Sequence, residues 1–224
     1  MKRIAVALAL LFGGWLQAAP DPNPDRFAKD IAGFDAADAK SPPAKGGIVF
    51  TGSSSVRLLD IPKYFPDSGA LNRGFGGSHI SEVNHYLDRC VLRYEPSIVV
   101  LYCGGNDVWD KKPPEQVEED FTEFRTRLFE KLPKAKLLIL AVRPSPSRIS
   151  IRAQEADLNE RFRKAAEADK RITYIAGSCD RYLDEAGKPI PEYFVADGLH
   201  MSPAGYEIWK EILTPHLKVA VAAP

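Results

Sequence analysis

Five short apolar runs, separated by longer segments of helical periodicity, constrain this chain more than any other feature. The strongest run spans 97–103 (SIVVLYC) and is apolar at nearly every position rather than at every second one. A strand of that kind is covered on both faces, as in a parallel sheet held between helix layers. Weaker runs lie at 47–51 (GIVFT), 70–73 (ALNR), 137–142 (LLILAV) and 172–175 (ITYI). In the gaps, Val117, Phe121, Phe124 and Leu128 line one face of a helix, and Leu158, Phe162 and Ala165 do the same in the next. Ser202-Pro203 opens a last helix, because Ser caps an N-terminus and Pro suits the first turn. Its inner face is Tyr206, Trp209, Leu213 and Leu217. Strands alternating with helices predict right-handed crossovers. The expected architecture is a flavodoxin-like three-layer α/β/α sandwich with a five-stranded parallel sheet, order 2-1-3-4-5. Ligands then bind beyond the carboxyl ends of the strands, beside strand 1.

The chain has 224 residues, enough for one domain with a self-sufficient core. Three segments are expected. Residues 1–19 carry Lys2 and Arg3, an apolar run and a closing Ala18-Ala19, the layout of a secretory signal peptide. The run is shorter than the roughly 20 residues of a membrane-spanning helix. An uncleaved anchor or a buried helix is the alternative. Residues 20–46, rich in Pro, Asp and Ala, read as a surface lead-in with one short helix near 24–34. Residues 47–224 form the domain itself. Export implies a secreted or periplasmic protein, with no stable membrane insertion once the signal is removed.

Composition closes off several function classes. Thirty basic residues balance thirty acidic ones, which argues against a nucleic-acid partner. Three cysteines are too few for a disulfide scaffold, and no Cys-x-x-Cys or zinc spacing occurs, so no metal site is expected. Cys103 sits in the strongest strand and reads as buried and inert; Cys90 and Cys179 are free to pair or not. Gly74-x-Gly76 lacks the third glycine of a dinucleotide fingerprint, and no phosphate-binding P-loop is present. Gly-x-Ser-x-Gly is also missing, so the α/β-hydrolase elbow is ruled out.

Four polar, glycine-rich clusters stand where an α/β sheet places its site. They are Gly52-Ser53-Ser54, Asn72-Arg73-Gly74-Phe75-Gly76-Gly77, Gly104-Gly105-Asn106-Asp107 and, before the last helix, Asp197-Gly198-Leu199-His200. Each alone reads as a turn or cap. Together they supply a Ser hydroxyl, a His able to take its proton near neutral pH, and an Asp three residues before that His to orient the ring. Asn106 and a close-approaching glycine backbone would add fixed donors for a developing oxyanion.

In the order and spacing of these blocks the chain resembles the SGNH hydrolases, also called GDSL-like lipase/acylhydrolases, over roughly 47–217. The Pro144-Ser145-Pro146-Ser147-Arg148 loop and the MSPAGYEIW tail are similar to an exported branch of that family. The resemblance implies Ser54 as nucleophile, His200 as base and Asp197 as its orienting partner. It implies an oxyanion hole from the N–H groups of Ser54 and Gly77 and the Asn106 amide. Ser53 stands where the family usually has Asp, which puts the local hydrogen bonding of that loop in question. The expected reaction is hydrolysis of carboxylic esters through an acyl-serine intermediate, without a cofactor. Small acyl (acetyl) esters of carbohydrates are the expected substrates. A lysophospholipase, lipase or thioesterase, and a non-catalytic carbohydrate- or lipid-binding module, are the alternatives. Trp109 reads as a substrate platform or a packing residue, Arg148 as a substrate or loop contact, and His79 and His85 as surface histidines, His79 with an alternative place at the pocket mouth.

Overall fold

The computed structural model describes residues 19–217. The segment expected as a signal peptide, except for Ala19, lies outside the described residues. The sheet has five parallel strands in the order β2-β1-β3-β4-β5, as expected. They are β1 (Ile48–Gly52), β2 (Leu71–Gly74), β3 (Ile98–Tyr102), β4 (Lys136–Leu140) and β5 (Ile172–Ile175). Among the described residues, ten α-helices surround it. The first five are α1 (Ala28–Lys40), α2 (Ser54–Arg57), α3 (Ile61–Tyr64), α4 (Ile80–His85) and α5 (Leu87–Cys90). The others are α6 (Gly105–Trp109), α7 (Pro114–Lys131), α8 (Arg152–Ala168), α9 (Gly177–Asp180) and α10 (Pro203–Leu213).

The continuous apolar strands are explained by two separate cores. Val99 and Leu101 of β3 face one layer, where Val117, Phe121 and Phe124 of α7 and Leu158 and Phe162 of α8 pack. Ile98, Val100 and Tyr102 face the other, against Val56, Ile61, Tyr64 and the Tyr206, Trp209 and Leu213 face of α10. Side chains alternate across a strand, so a strand with both faces buried must be apolar throughout. Ser202 caps α10, its hydroxyl accepting the Gly205 N–H at 3.2 Å.

Two elements depart from the sequence expectation. The run 137–142 reads as strand to its end, yet β4 stops at Leu140. The backbone of Val142 is paired instead by the Asn159 side chain, which accepts its N–H and donates to its carbonyl, both at 2.7 Å. The lead-in helix runs to Lys40 rather than ending near 34, and Phe27 and Ile31 enter the core. Asp38, 7% exposed, meets Arg73 of β2 at 2.5 Å and accepts from the Tyr94 hydroxyl at 2.5 Å. All three cysteines are free: Cys90 ends α5 and is buried in the core, and Cys179 lies on α9 beyond β5.

The Asp38–Arg73 pair generates a stability prediction. Removing one member of a buried pair leaves an uncompensated charge, at a cost of about 3–5 kcal/mol. Asp38→Ala is therefore expected to lose about that much in urea unfolding, whereas Asp35→Ala, which breaks more exposed pairs to Arg89 and Arg93, is expected to lose under about 1 kcal/mol. Equal losses would show that Arg73 finds other partners.

Candidate active site

Gly52 and Asn72 set the position of Ser54. Gly52, at φ 124°, ends β1 where any Cβ would collide with the Tyr102 carbonyl of β3. Only glycine lets the strands stay this close while the chain turns. The Ser53 N–H then donates to that carbonyl at 3.0 Å, and Ser54 begins α2. Asn72 ties α2 to β2: its amide donates to the carbonyls of Val56 at 2.6 Å and Leu59 at 3.0 Å, and its oxygen accepts the Gly74 N–H at 3.0 Å.

The loop before α10 brings His200 to the same edge. His200 Nε2 lies 3.0 Å from Ser54 Oγ, and Nδ1 lies 2.6 Å from Asp197 Oδ2. A carboxylate only accepts, so Nδ1 carries the proton and Nε2 of the neutral ring is left to accept from the Ser54 hydroxyl. Asp197 Oδ1 accepts the N–H groups of Leu199 at 2.8 Å and His200 at 2.9 Å. Burial pushes its pKa upward, but these bonds and the one from the imidazole outweigh that and hold it at about 2. The carboxylate therefore stays ionised, ready to stabilise an imidazolium.

Potential donors face the same spot. The N–H groups of Ser54 and Gly77 have no acceptor among the described residues. Gly77 adopts φ 86°, a left-handed conformation that suits glycine. Asn106 is the second residue of α6, and its amide orientation is fixed by its neighbours. Arg148, a pure donor, gives 3.0 Å to Oδ1, and Nδ2 gives 3.1 Å to the Ser78 carbonyl, which leaves one amide N–H. The lead-in segment braces this loop. Arg26 Nη2 donates to the Gly77 carbonyl at 3.1 Å while the guanidinium grips Glu82 through two bonds of 2.6 Å. Glu82 in turn accepts the His79 N–H at 2.9 Å.

Other expected residues fall differently. His79 is not a surface residue: it is buried at the start of α4, with Nε2 2.9 Å from Asp110 Oδ2. It faces the fully buried Asp107, whose pKa burial pushes up to about 6 against the pull of His79 and the Ile80 N–H. His85 is exposed. Trp109 lines neither cavity that opens at Ser54; it is 41% exposed and lies under the Arg148 guanidinium at 5.0 Å. Arg148 lines both cavities and holds its own surroundings, donating to Gly105 O at 3.1 Å as well as to Asn106. Among the described residues, no group of three or more His, Cys, Asp and Glu is placed to hold a metal ion.

Sequence reasoning passed over Arg143, although a cation directly after an apolar strand was a visible signal. Its guanidinium, 4% exposed, donates to the Tyr102 hydroxyl at 2.8 Å, to Ser55 Oγ at 3.1 Å and to the Leu199 carbonyl at 3.1 Å. It thus joins the residue after Ser54 to the residue before His200.

Ser54 opens into two unequal spaces. The outer one, about 420 Å³, is an open groove bounded by Asp30, Arg57, Gly76, Gly77, Asn106 and Arg148. The inner one is a cavity of about 30 Å³ running back to Tyr102, Val142, Arg143, Ser145 and Glu155. Burial pushes the Glu155 carboxyl up to about 8 against the lowering pull of Arg148, Arg143 and Arg152. In the unfolded chain it ionises near 4.5. Between those values the folded chain keeps a proton that the unfolded chain has released, so stability falls as pH rises across that window. Glu155→Gln is expected to leave Tm unchanged near pH 4 and raise it near pH 9. An unchanged Tm at both would place the charge in water.

Comparison with known proteins adds to this geometry. The model of the GDSL-like lipase/acylhydrolase family matches residues 57–208, a span that begins just after Ser54 and includes Asn106, Asp197 and His200. A Streptococcus pneumonia protein, provisionally described as a platelet activating factor, superposes with a TM-score of 0.78 at 21% identity, over 87% of this chain and 94% of that one. A GDSL-like lipase from Bacteroides thetaiotaomicron gives a TM-score of 0.70 at 22% identity, over 87% and 97%. A catalytic mutant of an acetylxylan esterase from Geobacillus stearothermophilus gives 0.60 at 14% identity, over 78% and 94%. Such identities establish a shared fold. No curated protein sequence matches the chain. Since the family model accounts for well over half of the residues, the chain belongs to the GDSL-like lipase/acylhydrolase family of ester hydrolases.

Proposed function

We propose that the chain is an exported serine esterase that removes short, acetyl-sized acyl groups from a carbohydrate or similar polyhydroxylated alcohol. The observation that carries the serine chemistry is the 3.0 Å contact between His200 Nε2 and Ser54 Oγ, with the tautomer set by Asp197. In this reading His200 takes the Ser54 proton as Oγ attacks the ester carbonyl carbon. The oxyanion receives hydrogen bonds from the Ser54 and Gly77 N–H groups and the free Asn106 amide N–H. The bond to the alcohol oxygen breaks, and His200 gives its proton to that oxygen. Water then enters from the outer groove, loses a proton to His200 and attacks the acyl carbon. Oγ leaves and is reprotonated. Nothing in these steps calls for a cofactor.

The small inner cavity supports a short acyl group, and the open groove supports a larger alcohol portion. The acetylxylan esterase fold relative is consistent with this choice. Export rests on the layout of residues 1–19. A lipid substrate is the second reading. It is favoured by the exposed Leu58 and Val195, which flank a third groove beside Asp197 and His200.

Two experiments test the reading. Ser54→Ala is expected to lower kcat on aryl acetates by at least about 10⁴ and to lose labelling by a fluorophosphonate; equal hydrolysis by both forms would remove Ser54 from the mechanism. Loss of one oxyanion donor costs about 10²–10³ in turnover. Arg26 braces the Gly77 loop without touching substrate, so Arg26→Ala is expected to cost less, about tenfold in kcat with KM little changed, and Arg26→Lys to restore part of it. A change in KM alone would mean that Arg26 contacts the substrate instead.

A further inference from the structure

Most arginines among the described residues pair with a carboxylate, from the buried Arg73–Asp38 pair to the exposed Arg181–Glu211 one. Arg57 and Arg148 pair with none, and both line the outer groove at Ser54. The other arginines without a carboxylate lie in different settings. Arg143 and Arg152 are turned to hydroxyl and carbonyl oxygens, and Arg125 lines a separate groove with Phe129 and Asp169. A guanidinium with no carboxylate of its own, beside a reacting serine, is a ready partner for an anion on the substrate.

Each of the two guanidiniums has a defined seat. Arg57 ends α2, three residues after Ser54, and is exposed. Its guanidinium lies on Gly76, where a Cβ would come within 2.5 Å of Nε and 3.3 Å of Nη2. Gly76 does not have a positive φ, so its missing side chain leaves room for Arg57 rather than permitting a turn. Arg148 is half-buried and lies over the Trp109 ring at 5.0 Å. It gives both of its hydrogen bonds through Nη1, to Gly105 O at 3.1 Å and to Asn106 Oδ1 at 3.0 Å, so Nε and Nη2 keep no acceptor among the described residues. Gly76 precedes Gly77 and Arg148 touches Asn106, so one cation stands beside each of these two donors. Asp30 is the one carboxylate lining the groove, and it makes no ion pair with either arginine among the described residues. The charge around the groove is therefore positive in balance.

The order of events in ester hydrolysis says which part of the substrate meets that charge. The alcohol must depart before water attacks the acyl-enzyme, so it takes the open groove rather than the small inner cavity. We infer that the alcohol portion of the substrate carries a carboxylate or a phosphate, and that Arg57 and Arg148 bind this anion while Ser54 attacks the neighbouring ester. This rests on the serine-esterase reading of Ser54. It narrows the polyhydroxylated alcohol to an acidic one, of the uronic acid or sugar phosphate kind, and makes Arg57 a determinant of specificity. Arg148 also orients Asn106, so substitution at Arg57 gives the cleaner test.

The test follows acetate release by the full chain from three acetylated methyl glycosides: the neutral glucoside, the same sugar with a carboxylate in place of its primary alcohol, and the same sugar phosphorylated there. At low salt, kcat/KM for at least one charged ester is expected to exceed that for the neutral one by about tenfold, and the advantage to shrink as salt is raised. The better of the two charged esters identifies the anion. Arg57→Gln is expected to remove most of the advantage and Arg57→Lys, which keeps the charge but not the planar fork, to keep part of it. A second measurement needs no turnover: free glucuronate or glucose phosphate should slow fluorophosphonate labelling of Ser54 at lower concentration than glucose does. Equal kcat/KM for all three esters, with Ser54 still labelled, overturns the anion inference and leaves the esterase reading standing. The same loss on all three esters in Arg57→Gln also overturns it, because the charge then serves the oxyanion instead of the alcohol. Absence of labelling at Ser54 overturns both readings.

Discussion

A single buried guanidinium connects the parts of the site that the chain keeps far apart. Arg143 stands at the end of the fourth strand and bonds the Tyr102 hydroxyl, Ser55 and the Leu199 carbonyl. The rings of Tyr102, Tyr182 and Phe194 surround it at 5.2–5.8 Å. No carboxylate pairs with it among the described residues, so its charge is balanced by oxygen dipoles and aromatic faces. The consequence is geometric. Ser55 follows Ser54 and Leu199 precedes His200, so Ser54 and His200 are referred to one rigid point instead of to two independent loops. The Ser147 hydroxyl and N–H, both 3.1 Å from the Gly198 carbonyl, repeat this connection one turn further out.

The opposite rim is held from a different direction. The Gly77 loop takes its support from the N-terminal segment through Arg26 and through Phe27, which packs edge-on against Phe75 at 4.9 Å. Tyr86 also packs edge-on against Phe75, at 6.1 Å, and donates its hydroxyl to the Pro24 carbonyl at 3.0 Å. The segment ahead of the first strand is thus part of what holds the Gly77 loop beside Ser54, and it lies before the span matched by the family model.

The two cavities at Ser54 differ chiefly in size. The outer groove, about 420 Å³, is lined by Gly76 and Gly77 and by Arg57 and Arg148. The inner one, about 30 Å³, limits the length of what can enter.

Much of this was written in local patterns. Both-face burial forces apolar strands, helix stripes follow the 3.6-residue period, and their alternation implies a parallel sheet between helix layers, so the layers were legible in the sequence, whereas the strand order came with the flavodoxin-like expectation. The Ser54, Asn106, Asp197 and His200 clusters were legible because reactive side chains and tight turns need particular residue types at strand ends. What the sequence left open were contacts across the fold. The Asp- and Ala-rich segment before β1 looks like a solvated lead-in, yet it docks through Asp38 and Arg26 on partners more than thirty residues away. His79 looks like a surface residue until α4 and α6 close over it. Arg143 shows locally only as a cation after an apolar strand, and its partners Tyr102, Ser55 and Leu199 come from three other parts of the chain. Local residue preferences determine elements and their order, whereas burial, pairing and the shape of a cavity depend on which distant groups the folded chain sets side by side.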